Sequence, residues 1–321
     1  MNLRNNTIDF AKFIAAFLVV AIHTSLFSDV NQTLYFVFNE LVCRLAVPFF
    51  AICTGYYLCL SVNNGQFNKV WKQEWKLIKI YALWTFLYFL FLIPNWIEID
   101  YLTFSNCIGY FKSALLTGSY FHLWYILYII YSLPILYIIV KYVNFKYWIY
   151  IAILLYGLYA LYYGYIEFMP KKVRQVLSLM KIGYAISLSQ FITLPMLLCG
   201  AFVSKTKKWT LKNSYIGLVL SFILLMTEAI ILKSWNHKSE FSYIIFILPV
   251  AYYLFKTLNK IKINKYRCQN LGNYSLIIYC IHPMFCKYIN LIPTNTIMHF
   301  FIVCLLSVIT SICWIQIRTN R

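Results

Sequence analysis

The chain has 321 residues, 62% hydrophobic, 20% aromatic and only 12% charged, with a mean hydropathy of +0.70. A soluble domain runs about 45–50% apolar and about 25% charged, and a disordered chain is poor in aromatic and aliphatic residues. Both classes are excluded, and a polytopic membrane protein is left. Lys and Arg number 28 against 9 Asp and Glu, a formal net charge of +19. These basic residues stand in short segments between apolar runs, which is a topology signal rather than a nucleic-acid groove; no nucleic-acid partner is expected.

A spanning helix needs about 20 mainly apolar residues. In chain order the runs fall at approximately 8–27, 35–60, 78–97, 122–140, 146–164, 184–203, 213–232, 242–258, 272–291 and 297–317. The expected fold is therefore an all-α bundle of about ten transmembrane helices. It forms a single transmembrane domain over residues 1–321, with no separate soluble domain. The first run is not read as a cleaved signal peptide, because Asp9 and Lys12 stand near its start and no small-residue cleavage site follows. The longest connecting stretches, 98–121 and 165–183, are expected outside the membrane.

Charge orients the spans. With the amino terminus cytoplasmic, the inside segments hold Arg4, Lys69, Lys72, Lys76, Lys79, Lys141, Lys146, Lys205, Lys207, Lys208, Lys212, Lys256, Lys260, Lys262, Lys265, Arg267, Arg318 and Arg321. The outside segments hold Lys112, Lys171, Lys172, Arg174, Lys181, Lys233, Lys238 and Lys287. The excess predicts that both termini are cytoplasmic. The 10 cysteines mostly lie in apolar runs without a CxxC pair, so they read as small buried hydrophobes rather than a disulfide framework or metal site.

An ionisable group within a span is costly and is by default a functional candidate. The first span carries Asp9, Lys12 and His23. Lys12 and His23 are eleven residues apart, about three turns and roughly 16 Å, so they share a face. Asp9 precedes His23 by close to a whole number of turns. The alternative is that Asp9 and Lys12 cap the helix at the interface, with Lys12 snorkelling. Arg44 lies inside the second span and cannot shed its charge, so it must pair or face water; Glu40 and Glu228 are the possible structural partners. Pro48 and Thr54-Gly55 are expected to loosen that helix twice.

Further along, Lys76 and Lys79 share a face at the entrance of the third span, followed by Tyr81. They can hold phosphates of a soluble donor or anchor lipid headgroups. His122, Trp124 and Tyr125 open the fourth span, Glu228 sits near the outer end of the seventh, and Tyr279 precedes His282-Pro283 by one turn in the ninth. Trp124 and Tyr125 also fit an aromatic belt. No HExxH or other metal-ligand spacing occurs, so no metal is expected.

Together these stretches resemble the acyltransferase-3 family of membrane proteins. Ile8-Asp9-Phe10-Ala11-Lys12 … His23 resembles its first-span motif of a basic residue and a histidine. Arg44-Leu45-Ala46-Val47-Pro48-Phe49-Phe50 … Thr54-Gly55-Tyr56 resembles its second-span motif, and Lys76-Leu77-Ile78-Lys79 its Arg-x-x-Arg. His122-Leu123-Trp124-Tyr125 and Leu271-Gly272 … Ser275 … Tyr279 … His282 resemble its later signatures. Lys replaces Arg at positions 12, 76 and 79, which keeps the charge and loses the bidentate fork.

The resemblance implies an enzyme of the O-acetyltransferase type in a bacterial plasma membrane. It would move an acyl group, expected to be acetyl, from cytoplasmic acetyl-CoA to a hydroxyl of an envelope glycan or another extracytoplasmic acceptor. On that reading His23, Lys12, Asp9 and Arg44 are catalytic. Lys76, Lys79 and Tyr81 hold the donor, while His122, Trp124, Tyr125, Glu228, Tyr279 and His282 line the acceptor site. The chain also resembles the membrane domain of membrane-bound serine racemases, which favours the alternative of a transporter or exporter of a small polar or glycan substrate. Membrane lipids are the other expected partners, and the sequence leaves the oligomeric state open.

Overall fold

The computed structural model describes residues 5–63, 65–178, 185–206, 209–235, 241, 244–263, 271–289 and 294–319. Arg4, Lys181, Lys207, Lys208, Lys238, Lys265, Arg267 and Arg321 of the charge pattern, with Cys268, lie outside the described residues. The helices in order are α1 (Asn6–His23), α2 (Gln32–Leu34), α3 (Ala46–Asn63), α4 (Phe67–Glu98), α5 (Phe104–Leu116), α6 (Trp124–Tyr142) and α7 (Trp148–Tyr163). They continue with α8 (Lys171–Ser178), α9 (Ala185–Phe191), α10 (Thr193–Lys205), α11 (Leu211–Ser234), α12 (Ile247–Lys260), α13 (Leu271–Ile289) and α14 (Thr296–Thr319). No strand occurs among the described residues, as an apolar solvent requires of a chain whose backbone bonds must close within each segment.

Among the described residues eight stretches are long and apolar enough to cross a membrane: Asn6–His23, Gln32–Asn63, Asn68–Glu98, Trp124–Tyr142, Phe145–Tyr163, Ile186–Lys205, Leu211–Ser234 and Thr296–Ile317. The two further runs expected to span, 242–258 and 272–291, overlap α12 and α13, which are not among these eight. The 14 residues of α12 reach only about 21 Å at 1.5 Å per residue, against a hydrocarbon core of about 30 Å. α13 dilutes its apolar run with Asn273, Ser275, His282, Pro283 and Lys287.

The chain divides into two units. The first comprises Met1–Thr54, Tyr159–Phe168 and Thr206–Arg321. Its centre is the pairing of α1 with α13. A Cβ on Gly272 would stand 3.3 Å from Asp9 Oδ1, and the rings of His23 and His282 stack further along. The two helices therefore run parallel, with Ala16, Val20 and Ile278 in the apolar seam between these polar ends.

α12 runs the other way, its end stitched to the start of α1. Asn5 Nδ2 donates to Asn259 O and Oδ1 at 3.3 and 3.2 Å, and Thr7 Oγ1 donates to Ile261 O at 2.7 Å. At the opposite end, Thr296 donates from its backbone N to Asp29 Oδ2 at 2.9 Å and from its hydroxyl to Oδ1. These bonds cap α14 and hold the Asp29 carboxyl below its usual range.

The second span starts irregularly. A π-helical stretch over Tyr35–Val42 is followed by a 3-10 turn at Cys43–Leu45, and α3 begins at Ala46. Pro48 has no N–H for the carbonyl of Arg44 and crowds it, so the adjustment falls in the turn before the proline. The second expected break is absent: α3 runs uninterrupted through Thr54 and Gly55.

The second unit comprises Gly55–Leu158 and Met169–Lys205. Within it, Tyr81 Oη donates to Ala114 O at 2.5 Å and Tyr110 Oη to Thr85 O at 2.9 Å. Trp71 meets Tyr137 at 5.7 Å between ring centroids. α5 and then α6 thus run antiparallel along successive halves of α4. The stretch 98–121, expected as an outside connection, holds the short helix α5, and Phe104, Ile108, Phe111 and Leu115 form its exposed apolar ridge. Further inside, the Ser132 and Thr193 hydroxyls lie 2.6 Å apart, and each bonds the Ser189 carbonyl at 3.0 Å.

Gly55 explains its own identity: a Cβ there would stand 2.0 Å from the backbone O of Leu197. Gly157 in α7 has nothing within 4 Å of the same position. Gly55→Ala should therefore destabilise the folded chain by about 1–3 kcal/mol through overpacking. Gly157→Ala should be neutral or gain up to about 1 kcal/mol from helix propensity. Thermal melts of both variants in one detergent check the difference.

Candidate functional site

The first unit gathers His23, His282, Arg44, Asp9, Lys12, Tyr279 and Glu228. His23 is the last residue of α1. Thr24 ends the helix, its hydroxyl bonded to Val20 O at 3.1 Å, and Ser25 and Phe27 then take φ of 50° and 75°. Positive φ costs a non-glycine residue, most of all a bulky one, and persists only where the surroundings enforce it. Here Asn39, 1% exposed, enforces it: its Nδ2 donates to Ala21 O at 2.8 Å and Leu26 O at 3.5 Å. The histidine therefore stands at a fixed helix end, clamped by a side chain from the π-helical stretch.

The His23 and His282 ring centroids are 5.3 Å apart with planes inclined by 26°. His282 is fully buried, and its Nδ1 lies 3.0 Å from Ile278 O. A carbonyl only accepts, so Nδ1 is the donor in this contact and Nε2 is left to face away from it. Tyr279, 5% exposed, has its ring 6.3 Å from that of His282. Arg44 lies within electrostatic range of His23. Its Nη2 is 3.2 Å from Glu40 Oε2, and Tyr35 Oη donates to Glu40 Oε1 at 3.0 Å. Glu40 is thus the acid that holds Arg44. At the other end of α1, Asp9 is buried and Lys12 half-buried, and both lie within electrostatic range of Cys53 in α3.

Glu228 has a structural task. Its carboxylate accepts Ile245 N at 2.8 Å and Phe246 N at 2.9 Å, just before α12 begins, and also the Tyr165 hydroxyl. A negative group there satisfies N–H groups at a helix start and suits the helix dipole. Burial, and then Glu228, push the Tyr165 phenol well up, so it stays a donor.

The second unit holds the remaining candidates. Lys76 and Lys79 are exposed and lie within α4 rather than at its start; Lys76 is about 14 Å along it from Phe67. Tyr81 is 7% exposed, and its hydroxyl both donates to Ala114 O and accepts Ser119 N at 3.0 Å, which fastens α4 to the Gly118–His122 turn. His122 is 2% exposed, with its ring 5.2 Å from Tyr88 and 5.8 Å from Tyr120, and those two rings stack at 4.3 Å. Trp124 opens α6, packs on Tyr128 at 5.0 Å and crowds Gly118, whose φ is +116°. Tyr125 is 9% exposed. Among the described residues no three metal-ligating side chains stand together.

Asn39 and Tyr165 escaped the sequence reading. Asn39 carries a signal, an amide inside an apolar span, whereas Tyr165 is one of 29 tyrosines and nothing distinguishes it. Truncation of Glu228 strands up to three donors. Glu228→Ala should therefore cost about 1–3 kcal/mol and lower the amount of folded protein, while any activity per folded molecule is retained. Glu228→Gln should recover part of the stability, as melting curves of the two variants will report.

Comparison with known proteins places this geometry. The acyltransferase domain model of the acyltransferase-3 family (Acyl_transf_3) matches residues 5–315. Two Enterococcus faecalis proteins named amino-acid racemase are similar over shorter stretches. One is 34% identical over 125 residues, 37% of this chain and 16% of that protein. The other is 37% identical over 132 residues, 39% of this chain and 18% of that protein. The match thus covers less than a fifth of either racemase. No solved structure matches the chain. The family match runs from before α1 into α14, across both groups of candidate residues, and the chain belongs to the acyltransferase-3 family.

Proposed function

We propose that the protein is a membrane O-acyltransferase that takes an acetyl group from cytoplasmic acetyl-CoA and delivers it to a hydroxyl of an envelope glycan or similar extracytoplasmic acceptor. The topology that serves this reaction has ten spans, both termini cytoplasmic, in a bacterial plasma membrane. The observation that carries the reading is the stacked His23–His282 pair beside Arg44.

In this mechanism His23 is the base. The acceptor oxygen bonds to the thioester carbonyl carbon as its proton passes to the imidazole, the C–S bond breaks, and the proton leaves with the thiol. Arg44 stabilises negative charge as it develops beside His23, and Lys12, at the other end of α1, holds negative charge on the donor. The pairing of Arg44 with Glu40 fits that task, since a guanidinium fixed in advance needs little reorganisation when charge appears. His282, with Nδ1 committed to Ile278, orients the pair. Lys76 and Lys79 take the donor's phosphates as point charges. Transfer through an acylated His23 uses the same ring and differs in the order of bond formation.

His23→Gln keeps bulk and hydrogen bonding and removes the titrating ring. Product formed per folded molecule should fall by about 10²–10⁴-fold, the usual worth of a general base, with the protein still in the membrane. Wild-type turnover in this variant would remove the catalytic assignment. Substrate uptake by the wild type without release of thiol from acetyl-CoA would favour the transporter reading instead.

A further inference from the structure

On the face where α1 begins, the end of α12 passes the start of α11. Lys256 Nζ stands 5.4 Å from the Trp209 ring centroid and Lys260 Nζ 4.7 Å, so two ammonium groups converge on one indole. Lys256 also lies 5.1 Å from the Tyr252 ring and 5.3 Å from that of Tyr253. The two helices are antiparallel and in close contact, since a Cβ on Gly217 would meet the Tyr253 ring at 2.3 Å. Thr257 follows Tyr253 by one turn and so shares the face of α12 that meets α11, towards the start of α11, which Trp209 precedes in sequence.

Two buried donors here lack an acceptor among the described residues. Thr257 is 6% exposed, and its hydroxyl makes no hydrogen bond; neither does the buried Trp209 Nε1. No carboxylate among the described residues pairs with Lys256 or Lys260. Lysines snorkelling beside an interfacial tryptophan account for the charges and the ring. They do not account for two buried donors without partners, which native structures seldom leave. Every group in the cluster donates. The matching ligand is negative and offers several acceptor oxygens in a small volume.

We propose that Trp209, Lys256, Thr257 and Lys260 form a phosphate-binding site at the junction of α11 and α12. A lipid headgroup and a soluble phosphate-bearing molecule offer the same chemistry, so the test separates the two. The full chain, purified and delipidated in detergent, is titrated in one arm with phosphatidylglycerol and read by native mass spectrometry, with uncharged diacylglycerol as control. In the other arm it is titrated with radiolabelled inorganic phosphate. The paired variant Lys256→Gln/Lys260→Gln should weaken binding by at least about tenfold, as loss of charge-assisted bonds predicts. Trp209→Phe, which keeps the ring and removes the N–H, and Thr257→Val should each weaken it by about threefold or more. Lys256→Arg/Lys260→Arg should retain it.

Loss confined to the phosphatidylglycerol arm identifies a headgroup site, and loss in the inorganic phosphate arm a site for a soluble ligand. If the wild type binds neither probe, or binds both no better than every variant, the site is overturned. If the paired glutamine variant does not fold, Trp209→Phe and Thr257→Val decide alone. The readout is binding, so the result stands whether or not the protein transfers acyl groups.

Discussion

A buried imidazole in an apolar surround must be held by something, and in this protein the holder is a parallel pair of helices. The lack of a side chain on Gly272 lets the Asp9 carboxylate approach the start of α13 at one end. His23 meets His282 at the other. Between them the seam is apolar, and lipid offers it little hydrophobic drive for association, so close packing and the polar ends must fix the register. Asn5, Thr7, Asn39 and Asp29 then lock the neighbouring segments to the two ends of α1.

The same constraint distributes the other polar groups. Glu228 caps α12, Tyr81 fastens a turn, and Glu40 holds Arg44. The buried Ser132, Ser189 and Thr193 satisfy one another or nearby carbonyls. In a medium without water each such group needs a partner within the protein. A polar residue inside a span is therefore as often a fastening as a reactive group, and geometry must sort the two. His23 differs from the rest in standing at a strained helix end against a second imidazole.

The helical class, the apolar runs and the family motifs were legible because each depends on local composition and spacing. Asp9, Lys12 and His23 do fall on one unbroken helix, and the Arg44–Glu40 alternative is the pairing observed. Three features depend on contacts distant in sequence and could not be read from periodicity. The close approach at Gly55 comes from Leu197, 142 positions away. The cap role of Glu228 depends on where α12 starts. The descent of α5 along α4 depends on hydroxyl bonds from Tyr81 and Tyr110. α12 and α13 overlap runs that the sequence already marks, 242–258 and 272–291, because their apolar content is local even where the helix is short or dotted with polar residues.

The central claim is that His23 and His282 act as one unit in acyl transfer. A double-mutant cycle tests it most directly: thiol release from acetyl-CoA in the presence of acceptor, measured per folded molecule for His23→Gln, His282→Asn and the double variant. Residues that work as a unit are non-additive. The account predicts that the double variant is about as slow as the slower single variant. Fold-losses that multiply, or a His282→Asn variant with wild-type turnover, would contradict it.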